Sequence, residues 1–108
     1  MKNLEFINLT PHKINLIGKD GNAITVAPSG TIARCSVKQE EVGELNEVTL
    51  YKSIYGEVEN LPEPKEGNIY IVSSLVAGRV NRNDVVVPCK FLRDDEGNII
   101  GAEGLTMV

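Results

Sequence analysis

The chain has 108 residues, of which 42% are apolar and 24% are charged, and its net charge at pH 7 is −4. These values are typical of one globular domain and exclude a disordered chain. An acidic chain also lacks the positive field that general binding to duplex nucleic acid requires. We therefore expect a single domain over residues 1–108 and no duplex nucleic acid as a partner.

The first 37 residues predict short strands separated by turns. Asp20-Gly21 is a typical hairpin turn, because both positions tolerate positive φ angles. The polar, acidic segment 38–47 predicts a loop or one loose helical turn. The apolar runs predict antiparallel strands at residues 4–9, 12–18, 23–27 and 31–37.

The second half of the chain predicts further strands and one helix. Gly56 indicates a bulge in the strand at 48–61, and the prolines and glycine of 62–67 exclude regular structure there. NIYIVS (68–73) is typical of a buried strand, and strands at 85–92 and 98–105 flank a turn with Gly97 at a positive φ. Residues 74–80 predict a short helix with Ser73 or Ser74 as its N-cap and with Leu75, Val76 and Val80 facing inward. The fold class is therefore mainly β (α+β), a small antiparallel sheet, barrel- or sandwich-like, with one short helix.

The cysteines and the single histidine predict no metal centre and no cofactor. Cys35 and Cys89 are too few for a disulfide framework, and with His12 they give three soft ligands without a Cys-x-x-Cys pair. Both cysteines fall in predicted strands, where a buried thiol behaves as a small apolar group. No apolar run reaches membrane-spanning length, so we expect reduced thiols, a cytoplasmic location and no membrane partner.

The segment AGRVNRND (77–84) gathers charge and amide groups between two apolar segments. On one interpretation it is a helix end followed by a polar loop, in which Arg82 pairs with Asp84 and Asn81 or Asn83 takes a left-handed cap position. On the other, Arg79 or Arg82 offers its planar guanidinium to a phosphate or a carboxylate. Both interpretations remain open at this point.

The segment NLTPH (8–12) also has two interpretations. Asn8, Thr10 and His12 share one parity of an extended stretch, so they can line one wall of a site. Alternatively, Asn8 and Thr10 stabilise a local turn, and His12 lies at the surface.

Five segments of this sequence, taken together and in order, resemble a family of small proteins encoded by bacteriophages and prophages. They are NLTPH (8–12), PSGTIAR (28–34), YGEVENLPEPKEGNIYIVSSLV (55–76), RNDVVVP (82–88) and RDDEGNIIGAEGL (93–105). The resemblance implies a phage origin, a compact domain and the cytoplasm of an infected bacterium as the location. It transfers no catalytic residues.

By analogy with small phage proteins that sequester nucleotide signals of bacterial immunity, we expect a non-enzymatic protein that binds a small anionic, nucleotide-like ligand. One small β domain offers little concavity, so we expect a homo-oligomer. The expected ligand-binding residues are Asn8, Thr10 and His12 for hydrogen bonds, Arg34, Arg79 and Arg82 for phosphate, Tyr51 and Tyr55 for stacking, Ser73 and Ser74 for helix amides, and Asp84 beside Arg82.

Two other functions remain open. Residues 40–66 hold eight glutamates against two lysines, so this segment can dock on a basic host protein and inhibit or assist it. A small hydrolase of nucleotide signals with His12 as general base is the third hypothesis.

Overall fold

The computed structural model describes residues 4–108, so the first three residues of the predicted domain lie outside the described residues. Within the described part there are eight strands and one helix. They are β1 (Glu5–Asn8), β2 (Ile14–Ile17), β3 (Ala23–Val26), β4 (Arg34–Leu45), β5 (Val48–Glu59), β6 (Asn68–Ile71), α1 (Ser74–Ala77), β7 (Val85–Arg93) and β8 (Ile99–Thr106).

Six of the strands form one sheet in the order β1-β6-β7-β8-β2-β3, which curls into a nearly closed barrel. The prediction of a mainly β, barrel-like domain with one short helix is thus confirmed. The β2–β3 and β7–β8 pairs are antiparallel, whereas β1–β6, β6–β7 and β2–β8 are parallel. β1 therefore lies beside a strand about 60 residues further along the chain, and not beside β2 as the short turn at Pro11 suggested.

The central strands β6 and β7 are buried on both faces, as continuous β-branched runs predict. Ile71 and Val86 point to one side, where they pack with Leu16 and Ala102. The neighbouring side chains on these strands point to the other side, into a core that α1 and the start of β4 cover. That second core consists of Leu9, Ala33, Tyr70, Val72, Val76, Ala77, Val85 and Val87.

A buried asparagine contributes to closing the barrel between β1 and β3. Asn8, at the end of β1, is 1% exposed and makes an isolated parallel bridge with Pro28. Its side-chain NH₂ donates to the carbonyl oxygens of His12 at 2.8 Å and Val26 at 3.1 Å. The seam of the barrel is therefore held by this side chain together with one backbone hydrogen bond, from the Ser29 N–H to the Asn8 carbonyl oxygen at 2.9 Å.

Strands β4 and β5 form a separate two-stranded antiparallel hairpin, which we call the arm (residues 34–59). The prediction of a loop or helical turn at 38–47 is wrong, because β4 continues to Leu45 and the turn is confined to Asn46 and Glu47, both with positive φ. The bulge predicted near Gly56 is present, since the register shifts between the Cys35–Val58 and Val37–Tyr55 pairs. The radius of gyration of 17.0 Å exceeds the roughly 13 Å of a compact chain of this length, as a protruding arm requires.

Helix α1 is shorter than the predicted 74–80, because it ends at Ala77. Ser73 is its N-cap, as predicted, and Gly78 is its C-cap with φ −70°. Val76 is buried and Val80 packs against the core, but Leu75 faces outward and Ala77 takes the inward position. Neither Asn81 nor Asn83 has a positive φ, so the expected left-handed cap is wrong. Gly97 does have a positive φ, 87°.

Among residues 4–108 there is no helix of the length and apolarity needed to cross a bilayer.

Candidate functional site

Four of the predicted site residues lie together on one groove of about 640 Å³. They are Thr10, His12, Ser73 and Ser74. The loop after β1 supplies the first two, and the start of α1 supplies the serines. Between them lies an apolar floor from β2, β7, β8 and the residue after β6, formed by Ile14, Val72, Val87, Pro88, Phe91 and Ile99. We call this the His12 groove.

The His12 groove continues at both ends into smaller hollows. Toward the arm, Thr10 and Ser73 also line a hollow of about 180 Å³ that reaches Arg34. In the other direction, Pro88 and Phe91 also line a hollow of about 140 Å³ that reaches Lys13. An elongated depression therefore runs across the domain with one cation at each end. Within the described residues, neither cation forms an ion pair.

Asn8 lies beneath this surface, and its hydrogen-bonding capacity is used within the fold. Its Oδ1 accepts from the Thr10 backbone N–H at 2.9 Å and lies 2.7 Å from the Thr10 hydroxyl. With the two donated bonds of its NH₂ group, both donors and both acceptor positions are satisfied. Asn8 therefore positions the loop that carries Thr10 and His12, and its own side chain has no group left for a ligand.

The start of α1 offers less to an anion than the sequence suggested. The Ser73 hydroxyl accepts from the Val76 N–H at 3.4 Å, which satisfies one of the exposed amides. A helix of four residues also has too few aligned peptide dipoles to attract a negative charge strongly. Ser73 and Ser74 can therefore contribute hydroxyls at the groove edge rather than a helix-terminal anion site.

Arg82 and Asp84 form a closed ion pair, as one of the two sequence interpretations required. Arg82 Nε and Nη2 donate to the two carboxylate oxygens at 2.9 and 2.6 Å, and Nη1 donates to the Pro62 carbonyl oxygen at 2.9 Å. The guanidinium also lies 5.7 Å from the centre of the Tyr70 ring. The hydrogen bonds from Arg82 lower the pKa of Asp84, and those to Asp84 raise the pKa of Arg82. This geometry fastens the 62–67 segment to the start of β7.

Arg79 and the two arm tyrosines lie apart from the His12 groove. The Arg79 guanidinium stacks on the Tyr55 ring at 4.5 Å from its centre, and so joins the end of α1 to the arm. Tyr51 lies further along the arm, paired with Glu41 and 56% exposed. The structure therefore divides the predicted site into three places: the groove, the Arg82–Asp84 pair and the arm.

The sequence did not indicate two residues of this surface, Phe91 in the His12 groove and Lys13 in the adjoining hollow. The Phe91 side chain is 49% exposed near the end of β7, within the strand that the sequence predicted at 85–92. Alternation along VVVPCKFLR cannot identify an exposed aromatic side chain, because Pro88 and the positive φ of Lys90 (55°) interrupt the strand. Lys13 directly follows His12, and its charge was the only available signal.

The described residues hold no cluster of three or more histidine, cysteine or acidic side chains that could bind a metal ion. Both cysteines are free and half-buried, and the Cys35 thiol lies 3.3 Å from the Gly56 carbonyl oxygen, to which it donates. This contact links the two strands of the arm at its base.

Comparisons of the chain with models of protein families, with curated proteins and with solved structures find no match in any of the three.

Proposed function

We propose that this protein is a non-enzymatic binding protein that takes a small anionic, nucleotide-like ligand in the His12 groove. The observation that supports this proposal is the elongated groove itself, with an apolar floor, polar side chains along its edge and a cation near each end. Pockets for small molecules usually measure about 300–1,000 Å³ and combine an apolar lining with a few polar groups. The groove has this size and this composition.

The groove residues match the parts of a nucleotide. The exposed Phe91 ring can stack on a base, an interaction worth about 1–3 kcal/mol per base. His12 and the Ser74 hydroxyl can hydrogen bond to a sugar or a base edge. Arg34 and Lys13, at opposite ends, suit two separated phosphates, and the bidentate guanidinium favours the Arg34 end for the tighter contact.

We propose binding rather than turnover because the polar groups of the groove are positioned by the fold and not by one another. The Ser73 hydroxyl caps α1, and Thr10 bonds to Asn8 and lies 3.0 Å from the His12 carbonyl oxygen.

The resemblance to small phage proteins makes the nucleotide signals of bacterial immunity the first ligands to test. Sequestration of such a signal in the cytoplasm of an infected cell is the corresponding biological role.

The test is ligand recovery followed by calorimetry. Purified protein is incubated with cyclic dinucleotides and with cyclic ADP-ribose isomers, washed and heated, and the released nucleotide is identified by mass spectrometry. Phe91→Ala should weaken binding about 5- to 150-fold, the equivalent of one stacked base. Tyr51→Ala, on the arm, is the control and should leave the affinity unchanged.

Intact ligand after heating supports sequestration, and a cleaved product instead indicates the hydrolase hypothesis with His12 as base. Absence of recovered ligand and of binding heat for every nucleotide tested would refute the proposal. So would equal loss of affinity in Phe91→Ala and Tyr51→Ala, because the groove would then have no special role.

The protruding arm favours a second candidate function, docking on a basic host protein. Six glutamates lie within residues 34–59 against three basic residues, and two of them, Glu41 and Glu44, face the same side as Tyr51. Glu41→Gln combined with Glu44→Gln should then abolish the cellular effect of the protein, while Arg34→Ala should not. The opposite result favours the groove.

A further inference from the structure

The two faces of the arm differ in their surroundings. Directly paired residues in a hairpin point to the same face, and successive residues alternate between faces. The Cys35–Val58 pair packs against the core, and the Val37–Tyr55 pair continues that face beneath Arg79. We call it the inner face. The opposite, outer face points away from the barrel. It carries Lys38, Glu40, Gly43, Leu45, Val48, Leu50, Lys52 and Ile54.

The outer face carries four exposed apolar side chains, and nothing in the described chain covers them. Leu45 is 62% exposed, Val48 67%, and Leu50 and Ile54 each 41%. A two-stranded hairpin is only marginally stable alone in water, and an apolar face of this kind usually packs against another element. Among residues 4–108, neither long edge of the arm has a neighbouring strand.

We propose that the outer face packs against the outer face of a second copy of this chain, around a two-fold axis that runs along the arm. Such an axis places β4 of one copy over β5 of the other. Each residue of one copy therefore lies over the residue that is its cross-strand partner, in the other copy. A dimer of this kind therefore requires that each cross-strand pair on the outer face be complementary in charge or in size.

The pairs of the outer face meet this demand. Glu40 is paired with Lys52, so each glutamate of one copy lies over a lysine of the other. Neither side chain has an ion-pair partner within the described residues of its own chain.

Size is complementary as well. Leu50 is paired with Gly43, above which there is nothing within 4 Å, so the leucine of one copy enters the gap over the glycine of the other. Leu45 is paired with Val48, and the aliphatic stem of Lys38 with Ile54.

The position of the barrel is compatible with this arrangement. Because the core and α1 lie on the inner side of each arm, the two barrels of the dimer lie on opposite sides of the paired arms. The acidic side chains Glu41 and Glu44 also belong to the inner face, so they do not face each other across the axis.

The size of the contact sets the strength of the dimer. The outer face covers residues 38–45 of β4, about 26 Å of strand, and two strands cover a width of about 10 Å, which gives roughly 500 Å² of total contact. This is below the roughly 1,200–2,000 Å² of stable complexes. We therefore expect a weak, concentration-dependent dimer that does not depend on whether the His12 groove binds a ligand.

The decisive experiment uses two charge-reversed chains. In Glu40→Lys, lysine faces lysine across the axis, and in Lys52→Glu, glutamate faces glutamate. Each variant alone should dimerise about tenfold more weakly than the wild-type chain, or more weakly still. An equimolar mixture of the two should form a heterodimer at wild-type strength, because each lysine then faces a glutamate. Sedimentation equilibrium over a concentration series, with one variant fluorescently labelled, measures all three affinities.

A matched pair of substitutions at the same depth of the arm tests the face. Leu50→Gln on the outer face should weaken the dimer at least about tenfold, while Thr49→Gln on the inner face should not. Circular dichroism and thermal unfolding confirm that both variants fold. A single-chain mass for the wild type at every concentration up to about 1 mM would overturn the proposal. A dimer that Leu50→Gln leaves intact, or a mixture that does not form the heterodimer, would overturn it too.

Discussion

Replacement of the buried seam residue by alanine, Asn8→Ala, should destabilise the barrel more than any exposed asparagine replacement. The Asn8 side chain makes four contacts of 2.7–3.1 Å with Thr10, His12 and Val26. In the variant the Thr10 hydroxyl can turn fully to the His12 carbonyl oxygen, which lies 3.0 Å away. The Thr10 N–H then remains without a partner, and the Val26 carbonyl oxygen loses one hydrogen bond while keeping its position in the β2–β3 ladder.

The expected loss follows from these two groups. An unsatisfied buried N–H costs about 1–3 kcal/mol and a lost hydrogen bond about 1 kcal/mol, so we expect the free energy of unfolding to fall by about 3 kcal/mol. That is a large part of the roughly 5–15 kcal/mol of a typical domain, and it lowers the melting temperature by about 12 °C or more.

Urea unfolding followed by circular dichroism measures the effect, with an unchanged m-value as evidence that the native state is otherwise intact. Asn15→Ala is the matched control, because the exposed Asn15 amide also makes two side-chain contacts, with Ile100 and Thr25. It should cost about 1 kcal/mol or less. If Asn8→Ala costs no more than Asn15→Ala, the seam is not held by this amide, and the account of barrel closure is wrong.

Three other predictions concern the remaining contacts. Arg82 lowers the pKa of Asp84 in the fold, so the pair stabilises the protein above the unfolded pKa of about 3.9, and this contribution is lost as the pH falls toward the lower folded value. Asp84→Asn should therefore lower the free energy of unfolding by about 1–2 kcal/mol at pH 7. In urea unfolding, the variant should also lose less free energy of unfolding than the wild type as the pH falls below 4, and an unchanged pH dependence would contradict the assignment. A double-mutant cycle on Arg79→Ala and Tyr55→Ala should give a coupling of about 0.5–1 kcal/mol, and a coupling of zero would mean that the ring contact does not hold the arm. Lys90→Gly should raise the free energy of unfolding by up to about 1 kcal/mol, because it relieves a left-handed backbone at φ 55°, and a loss of stability would show that the side chain matters more.

Local signals in the sequence predicted most of the strands and turns. NIYIVS and VVVP are buried on both faces, and such β-branched runs are recognisable without knowledge of their neighbours. Ser73 and Gly97 were predicted from the chemistry of caps and turns, which involves only a few adjacent residues. The pairing order was not accessible in this way, because the partners of β1 and β8 are set by contacts between distant segments.

The arm and the site show why the rest could not be predicted. Residues 38–45 belong to a strand that is exposed on both faces, so the alternation of buried and exposed side chains that usually marks a strand is absent. Asn8 resembled a wall residue of a site because the sequence shows its polarity and parity but not that it closes a barrel. The groove itself combines residues from three distant parts of the chain with Phe91, whose exposure only the tertiary structure determines.

The order of strands in the barrel has a consequence for how the chain folds. β1 pairs with β6, and β2 pairs with β8 as well as with β3, so the barrel cannot close until most of the sequence is present. Contacts between such distant segments slow folding, whereas a hairpin with adjacent strands forms within about 1–10 μs. The arm can therefore form early, while the barrel waits for β8. During synthesis the exposed apolar side chains of the outer face are therefore present before any core exists to bury the remaining strands.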